Sequence, residues 1–413
     1  MAQMKILQIN STDTLGTRFT GVGSRDRLAE RGVDSRHLVW RRNSNDPSAE
    51  AAFDWPLRRH LAGAINRIEN RLSVQSMLHL QWLVLPFNRR FRAADLVHYH
   101  IIHDGYFSLA ALPLLTRKKP SVWTFHDPWA MTGHCIQPLE CSRWQTGCGS
   151  CPDLNLTFAL RRDRTRLNWR YKQLVYRHTD VDVIVASQWM RDFACKSPLV
   201  QGFNFHVVPF GLDLETFSPG PAEAARRRFG ILPGHTVIGL RAADGPYKGV
   251  EHFKEALRKL QSTRPLCILT TQNKGTFDEF LGRHQIVELG WTNDEMLMVD
   301  FYRALDFFVM PSIAEAFGLM AIEAMACGKP VLSFQGTSLP EVTFAPDVGL
   351  AVPMRDSAAL AAAITSWVDS PDEVRARGLK AREVAEGHYG IDLHVDRLMG
   401  VYRDVIARRA HRT

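Results

Sequence analysis

The sequence predicts an α/β protein built from two doubly wound, parallel-sheet domains. The chain has 413 residues, enough for two hydrophobic cores of roughly 200 residues each. Short apolar runs alternate with helical segments in both halves, a pattern typical of parallel sheets covered on both faces. A stretch rich in proline and glycine, Ser218–Pro221, separates the two halves as a linker would.

The first half alternates strands and helices from its start. The apolar run Lys5–Asn10 is typical of a strand, and the helical pattern over Arg25–Glu30 stops at Gly32. Further strands are predicted at His37–Trp40, Leu96–His100, Ser121–His126, Val181–Ser187 and Phe205–Pro209. We therefore expect an N-terminal Rossmann-like domain over residues 1–212.

The second half repeats this alternation. Its strands are predicted at Thr236–Leu240, Leu266–Thr270, Ile286–Leu289, Phe307–Pro311, Pro330–Ser333 and Leu350–Val352. Its helices are predicted at Glu251–Leu260, Asp294–Ala304, Leu319–Cys327 and Ser357–Val368. These elements predict a C-terminal Rossmann-like domain over residues 213–390. The last segment, 391–413, contains a helical pattern with one apolar face.

The composition is that of an ordinary globular protein. Apolar residues make up 45% and charged residues 23%, which excludes a disordered or fibrous chain. The start has no pattern of a secretory signal, and no apolar run approaches the roughly 18 residues of a membrane helix. We expect a cytoplasmic protein.

The net charge of +8 suits anionic partners such as sugar nucleotides, anionic lipids or nucleic acids. The densest basic stretch, Arg58–Arg92, interleaves arginines with apolar residues. Such a segment can lie on an anionic membrane surface, such as the inner face of the cytoplasmic membrane. It can equally be a core-facing helix with a solvated basic side.

The most informative motif is a pair of glutamates in Pro311–Val331. Glu315 falls in the loop after a predicted strand, and Glu323 falls inside the following helix. The helix N-terminus offers backbone N–H groups to a diphosphate, and Gly318 leaves room for it. Carboxylates can accept hydrogen bonds from sugar and ribose hydroxyls. The alternative is that both acids only favour the start of the helix.

Two cations follow the first strand of the second half. Arg241 ends that strand, and Lys248 comes after a short loop. Both would lie where a departing pyrophosphate could be neutralised, although either could also be an ordinary surface charge. A further motif, Val208–Asp213 followed by Phe217–Pro219, marks the presumed crossing between the domains.

Together these motifs resemble those of the family 4 retaining glycosyltransferases, and the resemblance extends over most of the chain. It implies the GT-B fold, in which two Rossmann-like domains face each other across a cleft. It also implies transfer of a hexose from a nucleotide-diphosphate sugar, without a catalytic metal, to a glycan or lipid-linked glycan. The terminal helix would return to the N-terminal, acceptor-binding domain.

The resemblance also assigns roles to residues. Glu315 would hold the hexose and Glu323 the ribose. The resemblance implies that Arg241 and Lys248 bind the diphosphate of the donor. It also implies that the backbone of Phe317, Gly318 and Leu319 contacts the sugar and the phosphate. Many relatives carry a Gly-Gly pair in the first loop, where this chain has only Gly16 as the residue of close approach. The later Gly-Gly before Pro-Glu is also altered, in the segment Gly336–Glu341.

His126 and Asp127 follow a predicted strand of the first half, so they are expected at the carboxyl edge of its sheet. By resemblance, His126 contacts the donor sugar and helps to organise the reaction centre. In retaining transfer the leaving phosphate can take the acceptor proton, so His126 need not be a general base. We assign Asp127 as its orienting partner.

Four cysteines follow closely. Cys135, Cys141, Cys148 and Cys151 have a spacing that suits a structural zinc ion within an insert over residues 133–152. Disulfides and a redox Cys-x-x-Cys motif are the alternatives. The insert resembles one found in a bacterial subset of the family that assembles surface polysaccharides.

Two other functions fit parts of these observations. A sugar-nucleotide epimerase of the same architecture would bind the donor in a similar way. A zinc-bearing nucleic-acid-binding protein would account for the cysteines and the basic charge, but the charge excess is modest and the cysteines have no helix of their own.

Overall fold

The computed structural model describes residues 3–14, 16–53, 55, 57–103, 105–262 and 264–411. The chain divides into two compact units. The first unit comprises residues 1–208 together with residues from 394 onward, and the second unit comprises residues 209–393. Each unit is built around one parallel sheet, which confirms the predicted fold class.

The first unit contains a seven-stranded parallel sheet of order β3-β2-β1-β4-β5-β6-β7. Buried apolar side chains such as Ile6, Leu7 and Ile9 explain why these runs form central strands. The short strand β3 was not predicted. The strands are β1 Met4–Thr12, β2 Val33–Arg41, β3 Ala49–Ala51, β4 Leu96–Tyr99, β5 Ser121–Thr124, β6 Asp182–Val185 and β7 Asn204–Val207.

Helices cover this sheet. They are α1 Arg25–Glu30, α2 Arg58–Leu72, α3 Arg89–Ala93, α4 Leu112–Lys118, α5 Thr165–Tyr176 and α6 Gln188–Ala194. Side-chain caps fix two of the starts: Asn88 accepts amides at the start of α3, and Ser187 accepts the Met190 amide at α6. Short 3-10 turns cover Leu80–Phe87, Leu109–Ala111, Pro128–Met131 and Arg143–Gln145.

The second unit contains a six-stranded parallel sheet of order β10-β9-β8-β11-β12-β13. The chain passes from one side of β8 to the other between β10 and β11. This creates a switch point at the carboxyl ends of β8 and β11, where open α/β sheets usually bind ligands. The strands are β8 Thr236–Ala242, β9 Leu266–Gln272, β10 Gln285–Glu288, β11 Phe307–Met310, β12 Val331–Phe334 and β13 Leu350–Val352.

The helices of the second unit are α7 Ala222–Arg228, α8 Val250–Lys259, α9 Glu295–Ala304, α10 Leu319–Ala326, α11 Leu339–Val342, α12 Ser357–Asp369 and α13 Pro371–His388. The apolar faces of α8 and α12 join the sheet in one core, in which Phe253, Leu257 and Trp367 are almost fully buried. In the part of the chain that the structure describes, no helix is long and apolar enough to cross a membrane.

The last helix, α14, covers Ile391–Ala410. From His394 onward it belongs to the first unit, where Val395, Leu398 and Tyr402 are buried in the core of that unit. Its polar side is held by an ion pair between Asp396 and Arg31, at 2.7 Å.

Candidate donor-binding site

Two loops meet at the switch point of the second unit. The loop after β8 carries Lys248, whose Nζ lies 2.7 Å from Oε2 of Glu315 in the loop after β11. The backbone joins the same loops, because the Ile313 amide donates to the Tyr247 carbonyl at 2.9 Å. The structure thus brings together a predicted sugar-binding carboxylate and a predicted phosphate-binding cation.

The close approach of these loops depends on Gly249. Its φ is +67°, in the left-handed region, and a Cβ there would lie 1.8 Å from the Pro311 carbonyl oxygen. Any other residue would push the two loops apart. Gly249 therefore sets the distance at which Lys248 can reach Glu315.

The loop after β11 is shaped by Ser338. Its Oγ donates to the carbonyls of Glu315, at 3.0 Å, and Phe317, at 3.1 Å. Gly318 then adopts a φ of +103° and precedes α10. The first backbone N–H groups of α10, at Leu319 and Met320, have no acceptor within the helix itself. This short helix start is suited to an anion in the way that the sequence predicts.

The side chain of Phe317 has a structural position. It is buried and packs edge-on against the rings of Phe210, at 5.2 Å, and Tyr389, at 5.8 Å. These contacts anchor the loop in the second unit. Only the backbone of Phe317 is therefore placed for the predicted contact with a ligand.

The second glutamate lies in a different environment from the first. Glu323 is buried inside α10, and its Oε2 accepts a hydrogen bond from the Tyr302 hydroxyl at 2.7 Å. Glu315, in contrast, is partly exposed. Tyr302 on α9 thus orients the carboxylate that the sequence assigns to ribose, and no local sequence signal identified it.

Arg241 lies at the end of β8. It lines a small hollow with Lys248, Pro311, Ser312 and Met320. Among the residues that the structure describes, its buried Nε has no hydrogen-bond partner. A buried donor without an acceptor is costly, so an anionic ligand in this hollow would be stabilised by Arg241.

The first unit places His126 and Asp127 directly after β5. Asp127 Oδ2 lies 3.1 Å from His103 Nε2, and Oδ1 accepts the Trp129 amide at 2.8 Å. Burial acts to raise the pKa of Asp127, but the charge and hydrogen bond of His103 and the Trp129 amide outweigh it and keep the pKa below its usual value. Asp127 is thus paired with the side chain of His103, which the sequence did not suggest.

His126 itself is directed into a polar cluster. Its Nε2 lies 3.3 Å from Nδ1 of His100, and its ring packs against Phe19 at 5.0 Å between centroids. Burial lowers the pKa of His126 to about 3, so the ring is neutral. Gly16 belongs to the same neighbourhood, because its carbonyl accepts the Phe19 and Thr20 amides.

The predicted zinc site is not supported. The four thiols, Cys135, Cys141, Cys148 and Cys151, are free and only partly exposed, and no three metal-ligating side chains converge within the described residues. The contacts of Cys151 are local: its Sγ lies 3.4 Å from His134 Nε2 and 3.2 Å from the Asp153 carbonyl.

Burial in the cysteine insert raises the pKa of Cys135 to about 11 and that of Cys148 to about 12. Nearby, the buried Lys172 donates to the carbonyls of Trp129 and Thr132 and lies over the Trp129 ring. Burial lowers the pKa of Lys172 to about 7.

Two parallel Rossmann-like domains of seven and six strands define the GT-B class of fold. Solved structures agree with this class at low sequence identity. Sucrose-phosphate synthase from Thermosynechococcus elongatus is 19% identical with a TM-score of 0.67, over 98% of this chain and 100% of that chain. Anabaena HepE in complex with UDP-glucose is 15% identical with a TM-score of 0.63, over 99% and 100%.

The sequence comparison is more specific. Residues 25–216 match the family model described as Glycosyltransferase Family 4, and residues 222–384 match that described as Glycosyl transferases group 1. Together the two matches support the assignment of this chain to the family 4 glycosyltransferases.

Curated relatives match part of the chain. The D-inositol 3-phosphate glycosyltransferase of Segniliparus rotundus is 30% identical over 48% of this chain and 46% of its own length. The MMP alpha-(1->4)-mannosyltransferase of Mycolicibacterium hassiacum is 30% identical over 54% and 53%. The chain therefore spans about half the length of the curated relatives it matches.

Replacing Gly249 with alanine should disrupt the meeting of the two loops. Alanine at a positive φ costs about 1 kcal/mol, and at 249 the new Cβ would also overlap the Pro311 carbonyl. We expect Gly249→Ala to lower the Tm more than Gly230→Ala. Gly230 is a matched control, because its φ is +65° and a Cβ there would meet nothing within 4 Å. Equal losses of Tm, measured by calorimetry, would contradict this explanation.

Acid should destabilise the first unit before its carboxylates are protonated. Burial lowers the pKa of His37 to about 4 and that of His126 to about 3, while the unfolded chain keeps values near 6.5. Between pH 6.5 and 4 the unfolded state therefore binds more protons, and stability falls as the pH falls. Each histidine contributes up to about 1.4 kcal/mol per pH unit.

Urea unfolding at several pH values checks this expectation. Both ring nitrogens of His37 are buried and have no hydrogen-bond partner among the described residues, so His37→Leu should flatten the pH dependence. The exposed His60 offers the control His60→Gln, which should leave the dependence unchanged. An equal slope in wild type and His37→Leu would contradict the assignment.

Proposed function

We propose that this protein is a retaining glycosyltransferase that moves a hexose from a nucleotide-diphosphate sugar to a glycan or lipid-linked glycan in bacterial surface polysaccharide synthesis. The observation that carries the proposal is the meeting of Lys248 with Glu315 beside Arg241, at the switch point of the second unit. This arrangement offers cations for a diphosphate next to a carboxylate for sugar hydroxyls.

The proposed donor complex follows from these contacts. The diphosphate would form ion pairs with Arg241 and Lys248. It would also accept hydrogen bonds from the backbone N–H groups at Gly318 and Leu319. Lys248 would then exchange its contact with Glu315 for phosphate oxygens, leaving the carboxylate to accept hydroxyl groups of the hexose. Glu323, oriented by Tyr302, would accept the ribose hydroxyls.

The chemistry requires stabilisation of the leaving group. As the glycosidic bond to the donor phosphate breaks, negative charge develops on the diphosphate, where Arg241 and Lys248 neutralise it. The acceptor hydroxyl attacks the anomeric carbon on the same face, and a phosphate oxygen takes its proton. This proposal needs no metal ion and no protein general base. His126 and Asp127 are assigned to organising the sugar.

A thermal-shift panel of UDP-, GDP- and ADP-sugars tests donor binding. We expect one nucleotide class to stabilise the protein, by about 2.7 kcal/mol at a hundredfold excess over Kd. UDP-glucose is the first choice, since it is the ligand of Anabaena HepE. Lys248→Met and Glu323→Gln should each abolish the shift at the same ligand concentration.

A matched lysine in the same unit is the control. Lys259 pairs with Glu255 at 2.8 Å on α8, so Lys259→Met also removes one cation and one ion pair. This variant should keep the full response to the ligand. An unchanged shift in Lys248→Met and Glu323→Gln would overturn the donor-site assignment.

The same proposal includes contact with an anionic membrane surface through α2. Leu57, Leu61, Ile68 and Leu72 are exposed by 65%, 44%, 50% and 42%. At about 100° per residue they fall within an arc of about 60° on the helix. Arg58, Arg67 and Arg71 flank this stripe in sequence, so apolar insertion and attraction to anionic lipid act at the same surface.

Other positions on α2 are tied to the first unit by polar contacts. Buried Glu69 accepts the amides of Met77 and Leu78, both at 2.7 Å, and that of Ser76 at 3.2 Å. Asn66 Oδ1 lies 2.8 Å from His79 Nε2. These bonds fix the helix without using its apolar stripe, which supports a surface role for that stripe.

Vesicle sedimentation tests this surface. The full chain should bind vesicles of phosphatidylcholine with phosphatidylglycerol, but not phosphatidylcholine alone, and binding should weaken with salt. The double variant L61E and I68E should reduce the bound fraction at least tenfold. Leu174→Glu on α5, where Leu174 is 59% exposed, should not. Equal binding by both variants would exclude α2 as the membrane contact.

A further inference from the structure

A line of buried polar side chains runs from His126 into the sheet of the first unit. His126 Nε2 lies 3.3 Å from His100 Nδ1, and His100 Nε2 lies 2.7 Å from Gln8 Oε1. Gln8 and His100 are almost completely buried. They belong to β1 and the end of β4, which are neighbours in the sheet, and His126 follows the next strand, β5.

The direction of each hydrogen bond follows from the chemistry of the groups. An amide oxygen carries no proton, so His100 must donate from Nε2 to Gln8. Burial keeps the pKa of His100 well below its usual value, so the ring is neutral and its Nδ1 carries a lone pair. That nitrogen can only accept, and the donor must be Nε2–H of His126.

The orientation of the Gln8 amide fits this direction. Its Nε2 lies 3.4 Å from the hydroxyl oxygens of Ser35 and Tyr402, which can accept from it. Tyr402 in turn lies 2.8 Å from His98 Nδ1, and His98 Nε2 lies 2.7 Å from the Thr124 hydroxyl. Gln8 is therefore held from both ends of its amide group.

We propose that Gln8 is a positioning residue that, through His100, fixes His126 as the Nε2–H tautomer. Nδ1 of His126 then carries the lone pair and can act only as a hydrogen-bond acceptor. The proposal rests on the assignment of His126 to the sugar in the proposed function. It adds two residues, Gln8 and His100, that act on the reaction without touching the substrate.

Nitrogen NMR of the full chain tests the tautomer directly. Long-range proton–nitrogen correlation of ¹⁵N-histidine-labelled protein distinguishes Nε2–H from Nδ1–H rings. We expect the His126 signals, assigned by their loss in His126→Gln, to show the Nε2–H form at pH 7. An Nδ1–H ring would overturn the proposal, whether or not the protein transfers sugar.

A pair of variants then separates positioning from general damage. Gln8→Met keeps a similar volume but cannot accept from His100, so we expect a mixture of His126 tautomers and at least a tenfold loss of kcat, with the donor-induced thermal shift retained. Thr124→Val removes a hydroxyl from the His98 branch and should leave the His126 tautomer unchanged. A single Nε2–H tautomer in folded Gln8→Met would overturn the role of Gln8.

The tautomer measurement can fail or succeed independently of the test of the proposed function. If no sugar nucleotide binds and no transfer occurs, the transferase proposal fails, but the tautomer measurement still decides whether Gln8 sets the state of His126. If Gln8→Met does not fold, the wild-type spectrum and His100→Phe give the same test, since the phenyl ring cannot accept from His126. Retention of a single Nε2–H tautomer in folded His100→Phe would contradict the proposal.

Discussion

The contact between the loops after β8 and β11 is the constraint on which the candidate site depends. At Gly249 the backbone of one loop touches the Pro311 carbonyl of the other, a distance that no side chain would permit. The Lys248–Glu315 ion pair forms across this contact. Because both loops leave the sheet at its switch point, the same geometry opens the start of α10 and the hollow beside Arg241.

The site contains side chains that are fixed by packing and side chains whose contacts a ligand can replace. Phe317, Ser338 and Glu323 are fixed by buried packing and hydrogen bonds, so they hold the loop and its helix in place. Lys248 and Glu315 are partly exposed and satisfy each other. In the proposed donor complex, phosphate oxygens and sugar hydroxyls would replace the contact between these two side chains.

In the first unit, burial determines the protonation state of a group of histidines. His98, His100 and His126 lie in a water-poor region at the carboxyl edge of its sheet, where burial keeps the pKa of each well below its usual value. A neutral imidazole ring has one hydrogen-bond donor and one acceptor. A fixed partner such as Gln8 therefore determines the direction of each hydrogen bond from Gln8 through His100 to His126. The C-terminal helix takes part in this network through Tyr402.

Local patterns in the sequence were sufficient for the fold class. Apolar periodicity and the spacing of turn residues predicted two parallel α/β sheets, and the strand-to-helix loops placed Glu315, Arg241 and Lys248 at one sheet edge. Those features depend on residues that are neighbours in sequence. Parallel strands read as apolar runs because helices cover both faces of the sheet. The three-residue strand β3 was too short for such a pattern.

The partners of polar side chains were decided only by the tertiary structure. Tyr302 orients Glu323, His103 pairs with Asp127, and Gln8 reaches His100 across 92 residues of sequence. The cysteine spacing suggested zinc, but among the described residues no three metal-ligating side chains converge. Spacing along the chain records which residue types are close in sequence. Hydrogen-bond geometry depends on which strands lie side by side, and only the assembled sheet determines that.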